Sequence, residues 1–424
     1  MKNAEKLIDF INKSPTAYHA VAEVANRLRD VGFTEISEGD IAAFSDGGCH
    51  YVIRSDSSLI AFCGSGDGFS VAATHCDTPA FKIKGDFSTG AYLKLDTEKY
   101  GGSILYSWLD RPLGIAGRVV LETSRGVEAR LVNLARPVAV IPSVAIHQNR
   151  SVNDGVKLSA ATDMLPLAGL SGEGVLSAIS RELGICEVDI LSSDLYVYNL
   201  ESGTVAGLDE SLILSPRLDN LECTYSALCG FLSAIDAGKN TSVLAIFDNE
   251  EVGSVTAGGA DSTFLSNTLK KIAGSREKYA RMLENALMLS ADNAHAIHPN
   301  HPELSDKLGA PALGSGVVIK YNANKRYATD GISAAITKKL AKMAGAGIAE
   351  YYCRADMPCG STIGSITASH VGMLIADIGL PQLAMHSATE CAAVADLADM
   401  IALMKAHFSV SIEKRGAEYL IKND

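Results

Sequence analysis

Five short, largely apolar runs of this 424-residue chain end in a histidine or a carboxylate. FSVAATHCD delivers His75 and Asp77, SPRLDN delivers Asp219, and SVLAIFDNEE delivers Glu250 and Glu251. ALMLSAD delivers Asp292 and LPQLAMH delivers His386. A buried strand gains nothing from a charge, so an apolar run that finishes in His, Asp or Glu points that side chain at something. In open α/β sheets, ligands bind in the crevice beyond the carboxyl ends of the strands. Two histidines and several carboxylates meeting there could hold two divalent metals, and a metal pair activates water for hydrolysis.

Each residue also has a plainer reading. His75 and Asp77 form an H-x-D pair on one side of a strand, where the Asp can ligate a metal or hold the imidazole from behind, or the His can make an ordinary backbone hydrogen bond. Glu250 and Glu251 repel one another and are costly to bury unless a cation neutralises at least one. One could then ligate while the other serves as general base, and spacing does not say which; a solvated acidic loop is the alternative. Asp219 in PRLDN stands where a helix N-cap would. Asp292 lies in SADNAHAIHP beside His295, His298 and His301, and not all of these can be ligands. A lone His such as His386 is more often structural. The weight comes from their joint occurrence at strand ends.

The elements that must position these residues follow from periodicity. Residues 3–13 and 16–31 read as amphipathic helices, and 51–54, 58–63 and 69–75 as strands. After Lys84 the texture turns to glycine-rich turns and alternating segments such as YLKLDT and GRVVLET, which favours antiparallel β structure. From Asp219 strand and helix alternate. Helices are expected at 220–236, 262–274, 276–287, 331–345 and 391–408, and strands at 242–247, 287–291, 316–321, 348–353 and 371–377. This rhythm predicts an α/β fold with a largely parallel sheet and helices on both faces. The domain organisation expected is a discontinuous catalytic unit, 1–86 plus 213–424, interrupted by a β-rich unit at 87–212. His75 and Asp219 can share a site only if the outer segments fold together.

Composition narrows the class. The chain is 47% hydrophobic and 20% charged, as expected of a globular protein. Its formal net charge of -12 argues against nucleic acid or an anionic membrane as partner. Nine cysteines without a C-x-x-C pair suggest free thiols in a reducing compartment. No stretch approaches the roughly 18 apolar residues of a membrane span, so a cytoplasmic location is expected. G-x-S-x-G and G-x-G-x-x-G are absent, and the glycines of MPCGSTIGS lack the Lys-Ser/Thr of a phosphate loop.

Read together, HCDTPAFKIK, SWLDRPLGIAGRVV, SVAIHQNR, SPRLDNLECTYSAL, FDNEEVGSVTAGGADSTFL, SADNAHAIHPNHPE, NKRYATDG, DMPCGSTIG and AMHSATE resemble, in order and spacing, the aspartyl aminopeptidases of the MH clan of dinuclear zinc exopeptidases. The resemblance spans nearly the whole chain. It implies one zinc on His75, Asp219 and Asp292 and a second on Asp219, Glu251 and His386, with Asp219 bridging; Co²⁺ or Mn²⁺ would also suit these ligands. It implies Glu250 as general base and Asp77 as the residue orienting His75. His147, in SVAIHQNR, matches a histidine that the family inserts into a neighbouring subunit's site. His295, Lys320 and Tyr327 match positions lining the substrate pocket, Lys320 with His295 facing an acidic P1 side chain. The implied activity is release of N-terminal acidic residues from peptides by a tetrahedral dodecamer built from dimers through the inserted unit. A broader aminopeptidase, a deacylase and a catalytically silent metal-binding scaffold are the competing readings. Ser365, where the family often has Pro, and Pro112, where many members carry an acid, are departures that touch no expected ligand.

Overall fold

The computed structural model describes residues 2–170 and 172–423. Two amphipathic helices, Lys2–Lys13 (α1) and Ala17–Asp30 (α2), lead into strands Thr34–Glu35 (β1), His50–Arg54 (β2), Ser58–Cys63 (β3) and Phe69–His75 (β4). Six strands then build a separate sheet: Ala80–Thr89 (β5), Tyr92–Tyr100 (β6), Leu113–Thr123 (β7), Gly126–Ala139 (β8), Leu167–Gly169 (β9) and Ile190–Asn199 (β10), with helix Val175–Leu183 (α3) before the last. Thr204–Ala206 (β11) and Leu212–Ser215 (β12) bring the chain to helix Leu218–Ser233 (α4) and strand Thr241–Phe247 (β13). Next come helices Phe264–Ala273 (α5) and Arg276–Glu284 (α6), strands Leu287–Ala291 (β14), Ala294–His295 (β15) and Val317–Tyr321 (β16), helix Gly331–Ala344 (α7) and strand Ile348–Tyr352 (β17). Helix Ile363–Thr367 (α8), strands Leu374–Gly379 (β18), Pro381–Gln382 (β19) and Glu390–Ala393 (β20), helix Val394–Ser409 (α9) and the antiparallel hairpin Ser411–Arg415 (β21) with Glu418–Lys422 (β22) complete the outer part.

The outer strands form one nine-stranded sheet in the order β1-β2-β3-β13-β4-β14-β18-β16-β17. The four central strands, β13, β4, β14 and β18, run parallel. On either side, β3 is antiparallel to β13 and β16 to β18. The fold is therefore mixed α/β, mostly parallel at its centre. The sequence explains why. Every residue of β13 is buried. Leu244 and Ile246 enter a core with α1, α2, α4, α7 and α9, whereas Val243, Ala245 and Phe247 enter a second core with α5, α6 and α8. A strand covered by helices on both faces has no solvent side, so it reads as an unbroken apolar run. Each such side chain contributes about 1.5–3 kcal/mol on burial.

The six-stranded sheet is antiparallel throughout and covers its own core, where Phe81, Leu95, Ile115, Val119 and Val197 meet Ile179 of α3 and the single tryptophan, Trp108. Its first strand starts at Ala80, ahead of the texture change at Lys84, because Ala80–Ile83 already pair with β6.

Three features depart from expectation. Residues 391–393, expected at the start of the last helix, pair as β20 with β12; an apolar run fits either element, and the neighbouring strand decides. The β-rich segment also carries α3, whose Val175 and Ile179, one turn apart, pack into the core under the six-stranded sheet. Cys49 and Cys63, expected as free thiols, form a disulfide with Cα atoms 4.2 Å apart, since the antiparallel pairing of β2 with β3 sets them opposite one another. Among the described residues no helix is long and apolar enough to cross a membrane.

Candidate metal centre

The three ligand-bearing strands are neighbours. In the order β13-β4-β14 they run parallel, with Phe247 beside His75. Their carboxyl ends therefore present Glu250 and Glu251, His75 and Asp77, and Asp292 along one edge. Asp219 arrives from the start of α4, where its φ of -80° and ψ of 107° lie outside the helix. His386 arrives from the loop after β19, at a φ of 67°. The outer segments thus fold together across the intervening sheet.

His75 Nε2 lies 3.6 Å from both Asp219 Oδ1 and Asp292 Oδ1. His386 Nε2 lies 3.3 Å from Asp219 Oδ2 and 3.2 Å from Glu251 Oε1. Two triads result, His75/Asp219/Asp292 and Asp219/Glu251/His386, each with its ligand atoms within 4.8 Å of one another. Asp219 belongs to both, one oxygen to each. Charge-assisted hydrogen bonds are shorter, about 2.7–2.9 Å. Ligands at about 2.0–2.1 Å from a tetrahedral zinc stand about 3.3 Å apart, which is the spacing observed.

Two further observations fit a cation. Asp219 Oδ1 and Glu251 Oε1 are buried without a hydrogen-bond partner, a costly state for a carboxylate unless a positive charge meets it. The N-cap position of α4 falls to Arg217, and Asp219 Oδ1 accepts no hydrogen bond, so the capping explanation fails. Both histidines are also set in the required tautomer. Nδ1 of His75 faces the Asp77 carbonyl at 3.1 Å, and Nδ1 of His386 faces the Gly102 carbonyl at 3.3 Å. A carbonyl only accepts, so Nδ1 carries a proton in either charge state, and Nε2 is the nitrogen that would give up its proton to a cation in the triad. Carboxylate and imidazole donors of this type suit zinc.

Electrostatics point the same way. Burial opposes the charge on His386, but its contacts with Asp219 and Glu251 outweigh that and raise its pKa to about 11. Burial likewise works against Asp219, yet His386 and His75 hold its carboxyl well below the usual range. Burial pushes Glu250 up to about 8; His75 opposes this, while Asp292, Glu251 and Asp77 add to it. The Asp77 carboxylate stands behind His75, with Oδ1 3.4 Å from its Nδ1, on the side away from the triad. Its oxygens accept the backbone N–H groups of Glu250 and Glu251, each at 3.1 Å, so it fixes the glutamate loop and backs His75.

A cleft of about 450 Å³ opens over the triads, lined by Glu250, His295, Lys320, Tyr327, Tyr351 and Arg354 among others. Lys320 is buried. Its Nζ sits 3.2 Å from Asp292 Oδ2 and donates to the Asn293 carbonyl at 2.9 Å, and it lies over the Tyr327 ring. Burial, then Lys320, lowers the pKa of His295. His147 stands apart: it is exposed in the second-sheet unit and does not line this cleft. Two residues were missed from sequence. Glu390 accepts the backbone N–H of Asp219 at 3.0 Å and that of His386 at 2.7 Å. Tyr100 donates to Asp77 Oδ2 at 2.7 Å. An acid inside the small-residue run SATECAAV was the available signal for Glu390; Tyr100 offered none.

A family model described as aminopeptidase I zinc metalloprotease (M18) matches residues 10–408. The chain is 41% identical over 416 residues to the probable M18 family aminopeptidase 2 of Clostridium novyi (strain NT), spanning 93% of this chain and 96% of that protein. It is 37% identical over 420 residues to the protein of the same description from Pseudomonas aeruginosa (strain LESB58), spanning 96% and 97%. Among solved structures it is similar to Ape4 in the cryo-EM structure of the Ape4 and Nbr1 complex, with a TM-score of 0.92, 35% identity and coverage of 96% and 85%. It is also similar to the S. cerevisiae mApe1 dodecamer, with a TM-score of 0.84, 26% identity and coverage of 96% of each chain.

Proposed function

This chain belongs to the M18 aminopeptidase I family of zinc metalloproteases and is a zinc-dependent aminopeptidase; from that premise we propose that it releases N-terminal residues, with acidic ones preferred, at a two-zinc centre bridged by Asp219. The observation that carries the two-ion reading is the pair of triads with one shared carboxylate. His75, Asp219 and Asp292 would hold one ion, and Asp219, Glu251 and His386 the other. When bound, a zinc pair supplies Lewis-acid polarisation of the scissile carbonyl and lowers the pKa of water. Asp77 keeps His75 oriented. Glu250 takes the proton of the attacking water and passes it to the leaving amine. A carboxyl at about 8 holds its proton at neutral pH; cations beside it would draw that value down, so metal loading makes Glu250 a base.

Acidic preference is supported by Lys320 in the cleft and Arg354 at its lining. Because Lys320 is already paired with Asp292, it would act on the substrate as a screened neighbouring charge. We further propose that residues 87–212 form a unit apart from the catalytic part, 1–86 plus 213–424, and that this unit carries the dimer contacts of a tetrahedral dodecamer in the cytoplasm, with His147 reaching a neighbouring subunit's cleft to stabilise the oxyanion. The mApe1 dodecamer among the structural relatives supports this, as do the exposed Val144 and Ile146 just before His147.

Glu250→Gln tests the mechanism. Zinc content measured by mass spectrometry should stay at the wild-type level while kcat falls about 10²–10⁴-fold; near wild-type turnover rejects Glu250 as base. Comparing Asp, Glu, Leu and Lys p-nitroanilides tests the pocket, and a Leu preference overturns the acidic assignment.

A further inference from the structure

Beyond the end of β6 the chain passes directly behind both triads. Tyr100 Oη donates to Asp77 Oδ2 at 2.7 Å and accepts from Asn249 Nδ2 at 3.0 Å. Gly101 takes a φ of +71°, and a Cβ there would stand 3.2 Å from both Cβ and Oε2 of Glu251. The Gly102 carbonyl faces His386 Nδ1 at 3.3 Å, and a Cβ on Gly102 would stand 3.1 Å from that same nitrogen. The Ile104 N–H donates to the His386 carbonyl at 3.0 Å.

We infer that Tyr100–Ile104 is a positioning strap by which the six-stranded sheet sets the orientation of one histidine in each triad, so that Tyr100 and Gly102 tune zinc affinity without touching zinc or substrate. This rests on the ligand assignment proposed above. The chemistry is direct. An imidazole that binds through Nε2 must keep its proton on Nδ1, and the group it donates to fixes both tautomer and tilt. For His386 that group is the Gly102 carbonyl. For His75 it is the Asp77 carbonyl, held in place because the Asp77 carboxylate accepts three donors, two from the glutamate loop and one from Tyr100. Two successive glycines let the strap approach this closely; any side chain at 101 or 102 would press on Glu251 or His386.

A plainer role would be to fasten the two sheets together. That role would alter the stability of the metal-free protein but not its zinc affinity. The experiment compares wild type, Tyr100→Phe, Gly102→Ala and His386→Ala, each stripped of metal and titrated with zinc against a chromogenic chelator, with melting of the metal-free forms alongside. Tyr100→Phe keeps the ring, which packs edge-on against Tyr196. The expected result is about a 10–100-fold loss of zinc affinity in both strap variants, with metal-free melting near wild type and, once loaded, a lower kcat at little-changed KM. Wild-type affinity in the strap variants, with weakened binding in His386→Ala, overturns the strap alone. Affinity lost only in step with metal-free stability overturns it too. Unchanged binding in His386→Ala instead overturns the ligand assignment. If one strap variant does not fold, the other decides.

Discussion

A carboxylate at the start of a helix has two possible occupations, and Asp219 shows how they separate. A cap spends its oxygens on the N–H groups of the first turn; Asp219 sends one oxygen towards each histidine and leaves Oδ1 without a hydrogen-bond donor. Holding that geometry falls to Glu390, which is 2% exposed and clamps the backbone of Asp219 and His386 together. Glu390→Gln exchanges one acceptor oxygen for an NH₂ group and sets it against an N–H. We expect a loss of about 1–3 kcal/mol in unfolding free energy and weaker zinc binding, measured by urea denaturation and chelator competition; an isoenergetic variant would leave the clamp without a role. The seven residues named at the outset were legible because a charge closing an apolar run is conspicuous. Glu390 and Tyr100 were not, because their partners are backbone N–H groups and a carboxylate that only the fold brings near. The spacing of Glu250 and Glu251 was silent on which of them meets His386; three-dimensional placement of Glu251 beside that ring separates them.

The elements succeed where pattern is strong and fail where a neighbour chooses. The strands β4 and β14 stand where their apolar runs predicted. What no pattern shows is the turn at each strand end: Arg217, Asn249 and His386 all adopt left-handed φ values of 60°, 62° and 67°. Such a conformation is uncommon outside glycine and swings the next side chain sharply off the element. A helix packed on the same sheet holds a histidine remote from the metal centre. His407 of α9 is fully buried, with Nε2 3.0 Å from the Val71 carbonyl, and burial lowers its pKa to about 4 despite that bond. Because the folded value lies below the ordinary 6.5, His407 contributes stability that is complete above pH 6.5 and is lost as pH falls through 4. The loss should approach on the order of 3 kcal/mol, since one pKa unit is about 1.4 kcal/mol. His407→Gln can still donate to Val71 but cannot titrate. Its stability between pH 7 and 4, followed by urea unfolding, should decline less steeply than wild type; parallel curves would remove His407 from the acid response.

At the scale of the whole molecule, the chain spends over a hundred residues between His75 and Asp219 on a sheet that supplies no ligand to either triad. Its loops expose Val144, Ile146 and Leu170 at 60%, 48% and 70% of their full area. Val144 and Ile146 fit the subunit contact proposed above, and His147 lies within the same loop as these two yet away from its own cleft. If this surface joins subunits, the site is complete only in the assembly, and catalysis depends on a contact that does not affect metal binding. Replacing Val144 and Ile146 together by Asp places charge in that contact. The expected outcome is a fall in mass by multi-angle light scattering, wild-type zinc content per chain, and a kcat reduced at least as far as in His147→Phe. A specific interface needs about 1,000 Å² or more of buried area, so two charges at its centre should suffice to open it. A dissociated protein that retains full turnover would make each subunit self-sufficient and remove His147 from the active site.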